Sequence, residues 1–213
     1  MIHLHQSPIQ SRKHIMNDLS EPAIICTFGA PVLRAKARPV TTFDQTLSDM
    51  AEDMLQRMYV ANGIGLAAPQ IGKSLQLLVV DLQQDNTSET VTLDGRVLPI
   101  NLVQPFYCTN PSFEPVNDVQ VMDSEGCLSL PDVRGNVKRY YEIVLKYQDL
   151  EGNPHVMQCR DLFARCVQHE CDHLRGILFI DRLSKVERRE NQALLNEIKS
   201  LGGSFAYTEE DRD

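Results

Sequence analysis

The chain has 213 residues, 42% hydrophobic and 23% charged, enough for one domain with a substantial core. A formal net charge of -8 argues against a protein that works by neutralising phosphates, and no apolar run approaches the roughly 18 residues of a membrane helix. Six cysteines (Cys26, Cys108, Cys127, Cys159, Cys166, Cys171), with no apolar secretory region at the start, point to a reduced, intracellular compartment.

Residues 1–22 lack periodicity and read as an unstructured leader, in which Met16 offers a second start; organellar targeting stays open. From Thr42, with Gln45 three residues later, a capping box predicts a helix on which Leu47, Met50, Met54, Leu55 and Met58 recur, closed by Asn62-Gly63. Next comes "GIGLAAPQ" (63–70), where small residues let the backbone approach a ligand and Gln70 offers an uncharged double hydrogen-bonder. It is a poor dinucleotide loop, since a helix precedes it and a strand follows. "LQLLVVDL" (75–82) reads as a buried strand. The polar stretch 83–104, with Asp94-Gly95 as a turn signal, predicts a long excursion that is partly a hairpin.

In "SEGCLSLP" (124–131) a strand gives way to a loop around Cys127. "YYEIVLKYQDLEGNPHVMQC" alternates, breaks at Glu151-Gly152-Asn153 and resumes, which predicts a hairpin. Residues 161–175 switch to helical spacing and stop at Gly176. A last helix is predicted from Ser184, with Glu187 as its capping partner, through Leu194, Leu195, Ile198 and Leu201 to Gly202-Gly203. Residues 204–213, "SFAYTEEDRD", read as a loose polar tail, leaving 23–203 as the folded domain. The fold class is α+β: mostly antiparallel sheets around a central metal-binding helix, with a C-terminal helix.

The chemistry concentrates in "VQHECDHLRG" (167–176). One helical turn separates His169 from His173, so both imidazoles can converge on one ion, with Glu170 at the edge of that face. HxxxH alone occurs by chance on many helices, so a third ligand has to decide. Cys166 shares the face, but the i, i+3, i+7 span puts a single ion out of reach of its short side chain. A Cys127 thiolate offered from a strand end is the better third ligand, leaving a fourth position open. Leu162 and Cys166 then form one wall of an apolar pocket, with Ile64 and Gly65 facing it; Arg165 is expected to hold its charge at the rim.

"GIGLAAPQ", "EGCLS" and "QHECDHL", in that order, resemble the three signature motifs of the peptide deformylases, and the body from about Ile24 to Leu183 reads like that family throughout. The leader and the long 83–104 segment depart from it. The resemblance implies removal of the formyl group from N-formylmethionyl nascent polypeptides by a divalent ion on Cys127, His169 and His173. In this family the ion is usually Fe(II), and zinc, nickel or cobalt can substitute. It further implies Glu170 as proton carrier, with the Gln70 amide and the Leu128 backbone N–H as oxyanion donors. Gly65 would pair with the peptide as an added strand, and Arg134 would lie near the substrate channel. A Glu125–Arg139 pair is expected behind Cys127, Asp172 is expected to orient a neighbour, and the C-terminal helix is a candidate contact to the ribosome. Two other readings stand beside this one: another HExxH metallohydrolase, or a non-catalytic, metal-stapled peptide-binding protein.

Overall fold

The computed structural model describes residues 22–83 and 89–208, so the predicted leader lies outside the described residues except for Pro22. Strand β1 (Ala23–Cys26) is followed by helix α1 (Gln45–Val60), which buries Leu47, Ala51, Met54, Leu55 and Met58 along one face. The cap is not Thr42: Asp44 accepts the Leu47 N–H at 3.1 Å, and Gln45 turns to Asp49 instead. A carboxylate one residue before the first turn satisfies that orphan donor and also favours the positive end of the helix dipole.

Strand β2 (Gly65–Ala67) leads through a tight turn (Ala68–Ile71) to β3 (Leu77–Val80), whose four residues are all buried. The polar excursion does contain a hairpin, β4 (Thr90–Leu93) and β5 (Arg96–Pro99), turning at Asp94 and Gly95, both with positive φ. Then come β6 (Phe106–Pro115), β7 (Gln120–Cys127), β8 (Leu130–Tyr140), β9 (Glu142–Gln148) and β10 (Pro154–Arg160), with β9 and β10 forming the predicted hairpin. All pairings between these strands are antiparallel: one seven-stranded sheet in the order β2-β3-β6-β9-β10-β4-β5, the β7–β8 hairpin, and a third pair described below.

Helix α2 (Asp161–Leu174) runs through the middle of the molecule, with every residue from Phe163 to Leu174 buried. Its inner residues Phe163, Ala164, Val167 and Cys171 join one core with β3, β6, β9 and β10. Gly176 ends it at φ +74°, and a Cβ there would stand 2.6 Å from the Arg34 carbonyl oxygen, so the stop needs glycine twice over.

The last helix is two helices. Ser184 caps α3 (Lys185–Glu190) through the predicted box with Glu187, but the helix ends at Asn191 and α4 (Gln192–Ser200) begins anew. The Asn191 amide donates to the Glu187 carbonyl at 2.9 Å and to the Arg134 carbonyl of β8 at 3.1 Å, and this side-chain competition for backbone groups breaks the run. Residues 204–207 are not a loose tail: β11 (Ser204–Tyr207) pairs with β1, Ala23 opposite Tyr207 and Cys26 opposite Ser204. Phe205 and Tyr207 point inward and join the α1 core, an alternation masked in the sequence by the polar residues that follow. Among the described residues no helix is long and apolar enough to cross a membrane.

Candidate metal centre and active site

Two elements deliver three donor atoms to one point. β7 ends on Cys127, and α2 presents His169 and His173 one turn apart; their ligand atoms lie within 4.8 Å of one another. Cys127 Sγ is 3.2 Å from His173 Nε2. The Nδ1 of His169 is occupied by Glu125 Oε2 at 2.9 Å, which leaves its Nε2 for an ion. Burial and the neighbouring His169 push His173 well below the ordinary histidine range. One cysteine sulfur and two imidazoles this close suit a divalent transition metal, so the donor set fits the ion implied by the resemblance. Cys166 is not among them: its Sγ lies 3.5 Å from the Ile64 carbonyl, and burial pushes its thiol well above the ordinary range.

Behind the ligands stands a buried ion network. Glu125 accepts from Arg139 Nε and Nη2, both at 2.9 Å, and from Arg165 Nη1 at 2.8 Å; Arg139 reaches on to Asp172, which Arg182 also grips. Burial alone would raise the Glu125 carboxyl, but the bonds from Arg139 and His169 hold it well below the usual range, so it stays an anion facing His169. The expected Glu125–Arg139 pair and the orienting Asp172 are both in place. Arg165 differs from expectation: it is 8% exposed and turned inward to Glu125 and the Val137 carbonyl, because a buried carboxylate with two lone-pair edges accommodates a second guanidinium.

Glu170 makes none of these contacts. It is 3% exposed, its Oε2 has no hydrogen-bond partner among the described residues, and burial pushes its carboxyl up to about 7. A Cβ on Gly65 would sit 2.6 Å from Glu170 Oε1 and from Cys166 Sγ, so only glycine lets β2 approach the helix here. The Gln70 amide is fixed at both ends: Oε1 accepts the Ala67 N–H at 2.8 Å, while Nε2 donates to Ser129 Oγ at 3.2 Å and lies 3.6 Å from Cys127 Sγ. Every candidate ligand, catalytic or substrate-contact residue except His173 lines one cavity of about 510 Å³, including Ile64, Leu128, Leu162 and the exposed Arg134. Ser129 and Tyr207 were missed. Ser129 lies inside the motif and its hydroxyl was the available signal, whereas nothing in the sequence marked Tyr207.

The polypeptide deformylase family model matches residues 22–189. The chain belongs to that family. A peptide deformylase of Opitutus terrae is 46% identical over 178 residues, covering 83% of this chain and 91% of its own. The solved peptide deformylase of Thermus thermophilus superposes with a TM-score of 0.69 at 39% identity, covering 83% of this chain and 97% of its own. A plant peptide deformylase structure gives 0.71 at 30% identity, over 83% and 89% of the two chains. The deformylases are enzymes, and membership disfavours both the non-catalytic staple and an unrelated HExxH hydrolase.

Proposed function

We propose that this chain hydrolyses the formyl amide of N-formylmethionyl nascent polypeptides, releasing formate and a free amino terminus. The observation that carries the reading is Glu170: a buried carboxyl group beside a Cys-His-His donor set, with an oxygen that has no hydrogen-bond partner among the described residues. Cys127, His169 and His173 would hold the ion, for which Fe(II) is proposed, with zinc, nickel or cobalt as substitutes. Bound there, a divalent ion supplies Lewis-acid chemistry and lowers the pKa of water. Glu170 takes the proton of the attacking water and returns one to the departing amine, which needs a carboxylate that is no metal ligand. Gln70 Nε2 and the Leu128 N–H donate to the oxygen that gains charge; the bonds that lock Gln70 spare it reorganisation at that moment.

Strand β2 is an edge strand, paired only with β3 among the described residues, so its outer side is open to an extended peptide as an added strand at Gly65. Ile64, Gly65, Leu162 and Cys166 supply an apolar wall suited to methionine, with Arg134 at the cavity lining toward the rest of the peptide. Six free thiols favour the reducing cytoplasm. A ribosome contact through the last helices rests on exposed Lys185, Arg189 and Lys199, and co-sedimentation of the K185E/R189E variant with ribosomes tests it. The deciding experiment is formate release from a formyl-Met peptide by protein purified anaerobically with iron. No formate above the Glu170→Ala background would overturn the reading.

A further inference from the structure

The two ends of the described chain meet at the active site. β11 lies on β1, and its last residue, Tyr207, reaches out of that small sheet to donate its phenol O–H to the Leu128 carbonyl at 2.7 Å. The next carbonyl, that of Ser129, accepts the Phe28 N–H at 2.9 Å, two residues beyond β1. The Ser129 hydroxyl in turn accepts from Gln70. On its other side the Leu128 side chain presses on Gly63, where a Cβ would lie 2.8 Å from Leu128 Cδ1. Tyr207 is 8% exposed, lines the cavity, and lies beyond residue 189, where the family match ends.

We propose that Tyr207 is a positioning residue for the oxyanion donors, acting through the Leu128 carbonyl to fix the Leu128 peptide segment against Gln70. This rests on the deformylase reading above. Anchoring the Leu128 carbonyl restricts ψ at that residue, and the planar peptide units on either side pass the restriction to the neighbouring N–H groups. Donors that must meet a charge appearing only in the transition state lose much of their effect when they wander by even an ångström. The phenol is well suited to this: a rigid ring, packed edge-on against Phe205 at 4.8 Å, carries one directional donor. A loss here therefore falls on turnover more than on ground-state binding.

Tyr207→Phe keeps the ring and removes only the donor. The metal-loaded full chain and this variant are compared for kcat and KM on a formyl-Met peptide, and for amide hydrogen exchange at Leu128 and Ser129. The variant is expected to lose about threefold to tenfold in kcat, the scale of one neutral hydrogen bond, with KM held within roughly twofold. Exchange at the two amides should quicken while metal content stays at the wild-type value and the melting temperature falls by no more than the few degrees that one hydrogen bond carries. An unchanged kcat, an unchanged exchange rate, or a fall in kcat matched by metal loss would each overturn the proposal. A wild-type chain that releases no formate sinks the deformylase reading instead, and the exchange rates still judge the anchor.

Discussion

Two cysteines near the histidines, one on the same helix and one on a strand, have different work. Cys166 packs against the Ile64 carbonyl with its thiol pushed up by burial, whereas Cys127 comes from β7 to meet both histidines. Cys127→Ala should therefore strip the metal while Cys166→Ala keeps it, as read by metal analysis of the purified proteins; the opposite pattern would mean that α2 supplies all three ligands. Among the described residues no hydrogen bond ties Glu170 Oε2 to the ligands or the ion network, so Glu170→Ala should retain metal and melting temperature yet lose about 100- to 10,000-fold in turnover. Arg165 shows the limit of residue-level reasoning. Its long stem on the pocket side suggested a charge at the rim, but the carboxylate that captures it comes from β7, 40 residues away in sequence.

At the scale of elements, the metal centre is held by charges that cross between them. Glu125 on β7, Arg139 on β8 and Asp172 on α2 form one buried line, with Arg139 4% exposed. Arg139→Met would leave two carboxylates without their shared cation, at a cost of roughly 3–5 kcal/mol, which calorimetry should read as a melting temperature lower by roughly 6–20 °C. A loss of under a degree would show that Arg165 and Arg182 carry the network alone.

A second link joins two hairpins through His155, which bonds Asp94 at 2.6 Å and Asp149 at 3.1 Å. The hydrogen bond that His155 donates to Asp94 raises the His155 pKa above its ordinary 6.5, so its contribution is complete below that pH and is lost as pH rises through the folded value. Both aspartates are lowered from 3.8. The Val156 amide and then His155 hold Asp94 down; burial would raise Asp149, but Asn153 and His155 outweigh it. Their contribution is therefore lost as pH falls through the folded values. The gap in melting temperature between wild type and His155→Gln should be widest near about pH 5–6 and close toward pH 8. Because these three groups are partly exposed, salt should shrink the gap; a gap that widens toward pH 8 would refute the linkage.

For the molecule as a whole, the informative changes are at its ends. Residues 1–20 show no helical or strand period, so a chain starting at Glu21 should keep its melting temperature and turnover. Removing 204–213 deprives β1 of the strand it pairs with and Leu128 of the Tyr207 donor, so both quantities should drop, as a thermal melt and a formate assay would read. The site motifs were legible because their chemistry is local. An HExxH turn puts two imidazoles on one helix face whatever surrounds it, glycine-rich backbone admits close approach by lacking Cβ atoms, and alternation with turn residues reports hairpins directly. Helix ends were legible less often: Asp44 displaced Thr42, and Asn191 split the last helix, because both outcomes depend on which acceptor is nearest in space. By itself, then, the sequence determined the α+β class, the types of donor residue and a glycine-rich segment fit for close approach, though not that the approach is to α2. Only the tertiary structure decided that Arg165 turns inward to Glu125, that Ser129 and Ala67 lock Gln70, and that the polar-looking tail is a strand whose tyrosine grips Leu128. Each of those depends on contacts between residues brought together by the fold, set by packing and charge neutralisation that no local pattern encodes.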